Sequence, residues 1–308
     1  MPQVVITEFM DESAIKDHLG AFDVLYDPKL VDAPDALLEA ARDARALIVR
    51  NRTQVRGALL AAASKLEAVG RLGVGLDNID VDACAARGIA VFPANGANDL
   101  SVAEYVITAA MVLLRGAWFA TEAVAAGQWP RQRLMGREMS GKTLGLVGYG
   151  AIARATAARA RALGMKIAAY DPYLAPDHAE WQNACRMSLD ELLTHSDVVS
   201  LHVPLTPETQ NLIGARALGL MKRDAILVNA ARGGVVDEAA LVEALRASRL
   251  GGAALDVFAR EPVDAEAGKL FAGVPNLLLT PHIAGVSVES NVRVSDVTAR
   301  AVAGCLAR

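Results

Sequence analysis

The stretch GLVGYGAIARATAARARALGMKIAAYDPY, residues 145–173, constrains this chain more than any other. An aliphatic run, Leu144–Val147, meets a turn of small residues, Gly148, Gly150 and Ala153, and an alanine-rich helical segment follows. A second aliphatic run then ends in Asp171, which gives the order strand, helix, strand. Gly148 permits the tight turn, and Gly150 lets a pyrophosphate approach the backbone. The third position needs only a small side chain where helix meets strand, so Ala153 is a permitted variant. Ala151 and Ile152 open the helix, whose unpaired N–H groups and dipole favour bound negative charge. Asp171 can accept hydrogen bonds from both ribose hydroxyls and repels a 2′-phosphate, which favours NAD over NADP.

The motif begins near the middle of a chain of 308 residues, long enough for two domains. Short β-rich runs at Val4–Ile6, Phe22–Tyr26, Ala46–Val49, Leu66–Gly70 and Ala90–Phe92 alternate with helical segments, which predicts a parallel sheet with crossover helices. A second series follows in KTLGLVG, MKIAAYD, DVVSLHV, DAILVNA, GGAALDV and NLLLTPH. The expected fold class is α/β, with two doubly wound parallel-sheet domains. Between the two series, NDLSVAEYVITAAMVLLRGAWFATEAVAAG predicts one long connecting helix over 99–127, opened by a Ser101-x-x-Glu104 capping box and closed at Gly127. The final helical segment from Ser287 to Arg308 is expected to cross back onto the first domain. The expected domains are therefore 1–98 plus 286–308, and 99–285.

Composition narrows the partners. Apolar residues make up 53% and charged residues 21%, with a formal charge of −4, so no general attraction to nucleic acid or an anionic membrane is expected. The N-terminus MPQVVITEFMDE lacks the basic region of a signal peptide, and the longest apolar run, Tyr105–Leu114, is too short for a bilayer span. Cys84, Cys185 and Cys305 are odd in number and lack metal-ligand spacing, so they read as reduced core residues of a cytoplasmic protein without a metal.

Ligands of open α/β sheets bind beyond the carboxyl ends of the strands. Three polar residues stand at such positions: Arg232 in VNAARGGVVD, Glu261 in LDVFAREP and His282 in LTPHIAG. Hydride transfer from a 2-hydroxy acid to a nicotinamide needs a base for the hydroxyl proton and a cation for the carboxylate. His282 suits the first role and Arg232 the second, while Glu261 can orient the imidazole and stabilise its protonated form. His195, at a predicted helix end, and His202, at a strand terminus, are weaker candidates.

With these residues in place the chain resembles the D-isomer-specific 2-hydroxyacid dehydrogenase family along essentially its whole length. The matching stretches are GVGLDNID, GANDLSVAEYVI, GKTLGLVGYGAIA, DVVSLHVPLTPETQNLI, NAARGGVVDEAALVEAL, ALDVFAREP and TPHIAG. The resemblance implies flavodoxin- and Rossmann-like domains with an inter-domain cleft, the first interrupted by the NAD domain, and a homodimer. It implies that Arg232, Glu261 and His282 are catalytic and that Asp256 contacts the nicotinamide carboxamide. By the same resemblance Val203, Pro204, Ala230, Ala231 and Gly285 line the cofactor pocket, and the backbone at Val74 and Gly75 faces the substrate carboxylate. Formate dehydrogenases of similar architecture carry glutamine where this chain has Glu261. Non-enzymatic NADH-sensing corepressors are also similar, but the chain has no appended recognition segment or basic patch.

Arg50, Arg52 and Arg56 crowd the end of one strand, and Arg71 ends the next. Cations at Arg50 and Arg71 suit a substrate with a second anionic group, such as a phosphate or sulfonate. The first half, including QWPRQRLMGREMSGKTLG, resembles the catalytic core of 3-phosphoglycerate dehydrogenases. Sulfolactate, or glyoxylate and hydroxypyruvate, are alternatives. The chain stops at Arg308 without the regulatory domain many of those enzymes carry, so serine feedback is not implied.

Overall fold

The computed structural model describes residues 2–116 and 120–308. Two compact units emerge, Met1–Asn98 with Val286–Arg308, and Asp99–Gly285.

The first unit is built on five parallel strands: β1 (Val4–Ile6), β2 (Val24–Tyr26), β3 (Ala46–Val49), β4 (Ala68–Arg71) and β5 (Ala90–Pro93). Their order, β2-β1-β3-β4-β5, is the flavodoxin-like order. Every residue of β1 and β3 is buried, which explains why these runs are uniformly aliphatic rather than alternating. The helix Val288–Leu306 starts at a Ser287 cap and buries Val294, Ala299 and Val302 in the same core as β1. It lies so close to β4 that a Cβ on Gly70 would stand 2.6 Å from Thr298 Cγ2. A glycine in mid-strand therefore admits the C-terminal helix.

The second unit has β6 (Thr143–Val147), β7 (Lys166–Tyr170), β8 (Cys185–Arg186), β9 (Val198–Leu201), β10 (Ile226–Asn229), β11 (Gly252–Leu255) and β12 (Leu277–Leu279). All pairings are parallel, in the order β12-β11-β10-β9-β6-β7-β8. Read from β8, this is the Rossmann order with one added strand. The helix Ala151–Ala162 packs Ala153, Ala157 and Ala160 against Val106, Ala110 and Leu113 of the helix Asp99–Arg115. Alanine at 153 is fully buried there, and its small side chain allows the close packing that the third turn position requires.

Three expectations need correction. The connecting segment is not one helix to Gly127: the helix Asp99–Arg115 gives way to Gly116 at φ +61°, and a short helix Thr121–Ala125 follows. A left-handed glycine is the usual helix stop, and the apolar pattern continued past it. Residues 117–119 of that segment lie outside the described residues. The helix also begins at Asp99, so Ser101 sits inside its first turn rather than capping it. Finally, only Cys84 is a core cysteine; Cys185 is exposed on the two-residue β8, a strand the sequence did not reveal, and Cys305 is half-buried. Among the described residues no helix is long and apolar enough to cross a membrane.

Candidate active site

The second sheet reverses its order between β6 and β9, the position at which open α/β sheets bind ligands. Gly148 follows β6 at φ +89°, and a Cβ there would lie 2.6 Å from the His202 carbonyl oxygen. Any larger residue would separate the loops after β6 and β9. A Cβ on Gly150 would meet nothing within 4 Å, and Gly150 offers the following helix no side-chain cap. The space beside Gly150 at the start of the helix is thus open, an arrangement that fits the pyrophosphate of a dinucleotide near the opening N–H groups. Asp171, after β7, accepts the Tyr149 N–H at 2.9 Å on Oδ2 and those of Tyr173 and Leu174 at 2.9 and 3.2 Å on Oδ1. It therefore braces the glycine turn from the neighbouring strand. A carboxylate offers about four acceptor positions, so capacity for a ribose hydroxyl remains.

Arg232, Glu261 and His282 follow β10, β11 and β12 of this sheet. His282 Nδ1 lies 2.7 Å from Glu261 Oε2, and the Phe258 N–H donates to Glu261 Oε1 at 2.9 Å. Burial raises the Glu261 carboxyl. The hydrogen bonds from His282 and Phe258 and the nearby charge of Arg232 outweigh it and hold the group below its ordinary value. Arg232 Nη1 donates to the Ala231 carbonyl at 2.6 Å. A Cβ on Gly233 would stand 1.7 Å from the Phe258 carbonyl oxygen, so the loops after β10 and β11 touch backbone to backbone only because residue 233 is glycine.

His282 adopts φ +57°, and its N–H reaches the carbonyls of Asp256 at 2.8 Å and Thr280 at 3.0 Å. The Asp256 carboxylate is buried. It accepts the Thr280 hydroxyl at 2.6 Å and the N–H groups of Ile283 at 2.8 Å and Ala284 at 2.7 Å. Asp256 thus organises the loop of His282. Thr280, which the sequence did not single out, could have been found only by asking what satisfies that buried acid. Val203, Ala230, Ala231 and Gly285 are half-buried near strand ends of this unit, and Pro204 is exposed.

The two weaker histidines have local partners. His202 Nε2 lies 3.0 Å from Ser200 Oγ, and burial pushes its imidazole down to about 4, so it stays neutral near pH 7. His195 ends the helix Leu189–His195, with Nδ1 2.8 Å from the Glu191 carbonyl. Among the described residues no group of three or more His, Cys, Asp or Glu could hold a metal.

In the first unit, the loop after β3 is anchored by Glu8, a buried acid directly after β1. Its carboxylate accepts the N–H groups of Arg50, Arg52 and Thr53 at 2.9, 3.2 and 3.0 Å. In the sequence Glu8 stood only as one of three acids, with Asp11 and Glu12, that follow the apolar run VVIT. Arg50 Nη2 donates to Asn291 Oδ1 at 2.8 Å, and the guanidinium lies 5.6 Å from the centre of the Phe9 ring. Arg71 turns back on its own loop, donating from Nε to the Gly75 carbonyl at 2.8 Å and from Nη1 to that of Leu72 at 2.7 Å. It braces the segment that carries Val74 and Gly75. Arg52 pairs with Asp32, and Arg56 donates to the Asp77 carbonyl.

A dinucleotide turn and an acid-paired imidazole at the strand ends of one parallel sheet define an NAD-dependent oxidoreductase. The chain belongs to the D-isomer specific 2-hydroxyacid dehydrogenase family, whose NAD binding domain matches residues 107–284. It is 54% identical over 299 residues to an (S)-sulfolactate dehydrogenase of Chromohalobacter salexigens, covering 97% of this chain and 96% of that one. It is 37% identical over 96% of its length to a D-3-phosphoglycerate dehydrogenase of Synechocystis, of which it spans only 52%. Among solved structures, D-lactate dehydrogenase of Aquifex aeolicus in complex with NAD and lactic acid aligns with a TM-score of 0.84 at 28% identity, over 97% of this chain and 94% of that one.

Proposed function

We propose that the chain transfers hydride reversibly between NAD and a small 2-hydroxy acid with a second anionic group, with sulfolactate as its substrate. The observation that carries the chemistry is the contact of 2.7 Å between His282 Nδ1 and Glu261 Oε2. With Nδ1–H donating to the carboxylate, Nε2 is the nitrogen that takes the hydroxyl proton in oxidation and returns it in reduction. NAD supplies the hydride acceptor. Glu261 stabilises the imidazolium as it forms, and Arg232 holds the substrate carboxylate. Gly148, Gly150, Ala151, Ile152 and Asp171 bind the dinucleotide, with Asp256 and the strand-end residues Val203, Pro204, Ala230, Ala231 and Gly285 around the nicotinamide.

The Asp99–Gly285 unit serves as the NAD-binding domain and the Met1–Asn98 unit, with Val286–Arg308, as the substrate-binding domain. Arg50 receives the sulfonate. Arg71 acts on the substrate by shaping the Val74–Gly75 loop. The likeness to a sulfolactate dehydrogenase over nearly the whole chain supports sulfonate over phosphate. We also propose a cytoplasmic homodimer; the described cysteines are unpaired, and sedimentation would measure the assembly.

A panel of sulfolactate, 3-phosphoglycerate, lactate, hydroxypyruvate and glyoxylate, followed by NADH absorbance on the wild type and Arg50→Ala, tests the reading. Sulfolactate should turn over fastest and should lose most on the substitution. Equal turnover of lactate and the dianionic acids, untouched by Arg50→Ala, would reject it, and tight NADH binding without turnover on any acid would instead mark an NADH sensor.

A further inference from the structure

One titratable side chain of the NAD-binding unit belongs neither to the glycine turn nor to the proton-carrying pair. Tyr105 lies on the helix Asp99–Arg115 among residues that pack into the core, and its hydroxyl stands 2.6 Å from Thr280 Oγ1. Thr280 in turn donates to Asp256 Oδ1 at 2.6 Å. An ionised carboxylate only accepts, and a threonine hydroxyl has a single hydrogen. The hydrogen of Thr280 therefore goes to Asp256, and Tyr105 must donate to Thr280. Burial pushes the Tyr105 phenol up, so it remains a donor across the working pH range.

This chain of donors ends on the Asp256 carboxylate, and Asp256 in turn receives the backbone N–H groups of the His282 loop. Asp256 holds the His282 N–H through its carbonyl and the next two N–H groups, of Ile283 and Ala284, through its carboxylate. His282 sits at φ +57°, which a side chain with a Cβ disfavours. Such a conformation persists only when its surroundings over-determine it. Glu261 is in direct contact with the ring, and the charge of Arg232 acts on Glu261.

We propose that Tyr105 is a positioning residue for the proton-carrying imidazole. Its hydroxyl polarises Thr280, Thr280 fixes the Asp256 carboxylate, and Asp256 fixes the left-handed backbone that aims His282 at Glu261. The two hydroxyl bonds in sequence strengthen one another, so loss of the phenol weakens the hold of Thr280 on Asp256 Oδ1 and loosens the carboxylate. The inference rests on the role given above to His282. Loss of the phenol would disturb the aim of the imidazole without touching the pyrophosphate or ribose contacts.

The test compares Tyr105→Phe, Thr280→Val, Thr280→Ser and the double variant Tyr105→Phe/Thr280→Val in the full chain, by steady-state turnover and by NADH binding from fluorescence. Tyr105→Phe keeps the packing and should lower kcat about 3- to 10-fold, the loss of one buried hydrogen bond, with the Kd for NADH, held mainly at the glycine turn and Asp171, changed several-fold less than kcat. Thr280→Ser keeps the relay and should stay near wild type, whereas Thr280→Val should fall at least as far as Tyr105→Phe. Because Tyr105 acts through Thr280, the double variant should be no slower than Thr280→Val alone. An unchanged kcat in Tyr105→Phe, a parallel fall of kcat and NADH affinity, or additive losses in the double variant would each overturn the proposal. Retained turnover in His282→Ala would sink the reading of His282 itself. An inactive His282→Ala beside a fully active Tyr105→Phe would sink only the role of Tyr105.

Discussion

Glu261 holds His282 by one oxygen and the Phe258 N–H by the other, at 2.7 and 2.9 Å. The carboxylate is thereby fixed at both ends, and the imidazole it orients has one nitrogen left for proton exchange. His282→Ala should lower turnover by about 10²- to 10⁴-fold, the contribution of a positioned acid–base group, while NADH binding persists. Stopped-flow or steady-state absorbance together with NADH fluorescence would separate the two effects.

Glu261→Gln removes the charge and keeps the shape. Turnover should fall by about 10²-fold. The carboxyl is held below its ordinary value of 4.5, so its contribution to stability is fully present above that pH and is lost as pH falls through the lower folded value. The Tm advantage of the wild type over Glu261→Gln should accordingly be constant above pH 4.5 and shrink below it. A difference that widens on acidification would contradict this sign.

Asp171→Ala takes the acceptor from three backbone N–H groups of the dinucleotide turn and its neighbour. The KM for NAD should rise about tenfold, as expected for losing a bond to a charged group, and the ratio of NADP to NAD efficiency should increase. Initial rates with both cofactors measure it.

Glu8→Ala leaves the N–H groups of Arg50, Arg52 and Thr53 without the buried carboxylate that receives them. Stability should fall by about 2–5 kcal/mol, since each buried donor left unmatched carries a desolvation penalty. Urea unfolding followed by circular dichroism reads the loss. The Kd for NADH should not move, because these contacts belong to the other unit.

The local signals were legible because they are short in sequence. Gly148, Gly150 and Asp171 lie within one strand, helix and strand, where backbone geometry dictates residue type, and Arg232, Glu261 and His282 each follow an aliphatic run that ends at the same edge of a sheet. Aliphatic runs likewise announced all strands except β8, whose two residues carry no periodicity. Chain order alone could not say which side chains meet. Glu8 closes on a loop more than forty residues away, and Tyr105 meets Thr280 across 175 residues. Such pairs arise only once parallel strands set the register of their loops. The sequence by itself determined the glycine turn, the parallel sheets and the presence of His282 and Glu261 at strand ends of one sheet. Tertiary structure decided that Arg71 braces its own loop, that Asp256 organises the backbone of His282, and that Gly233 is required by a carbonyl from another strand end. For Asp256 and Gly233 the deciding partner is distant in the chain and near only in the folded molecule, and for Arg71 it is the loop's own carbonyls, which the sequence cannot aim a side chain at.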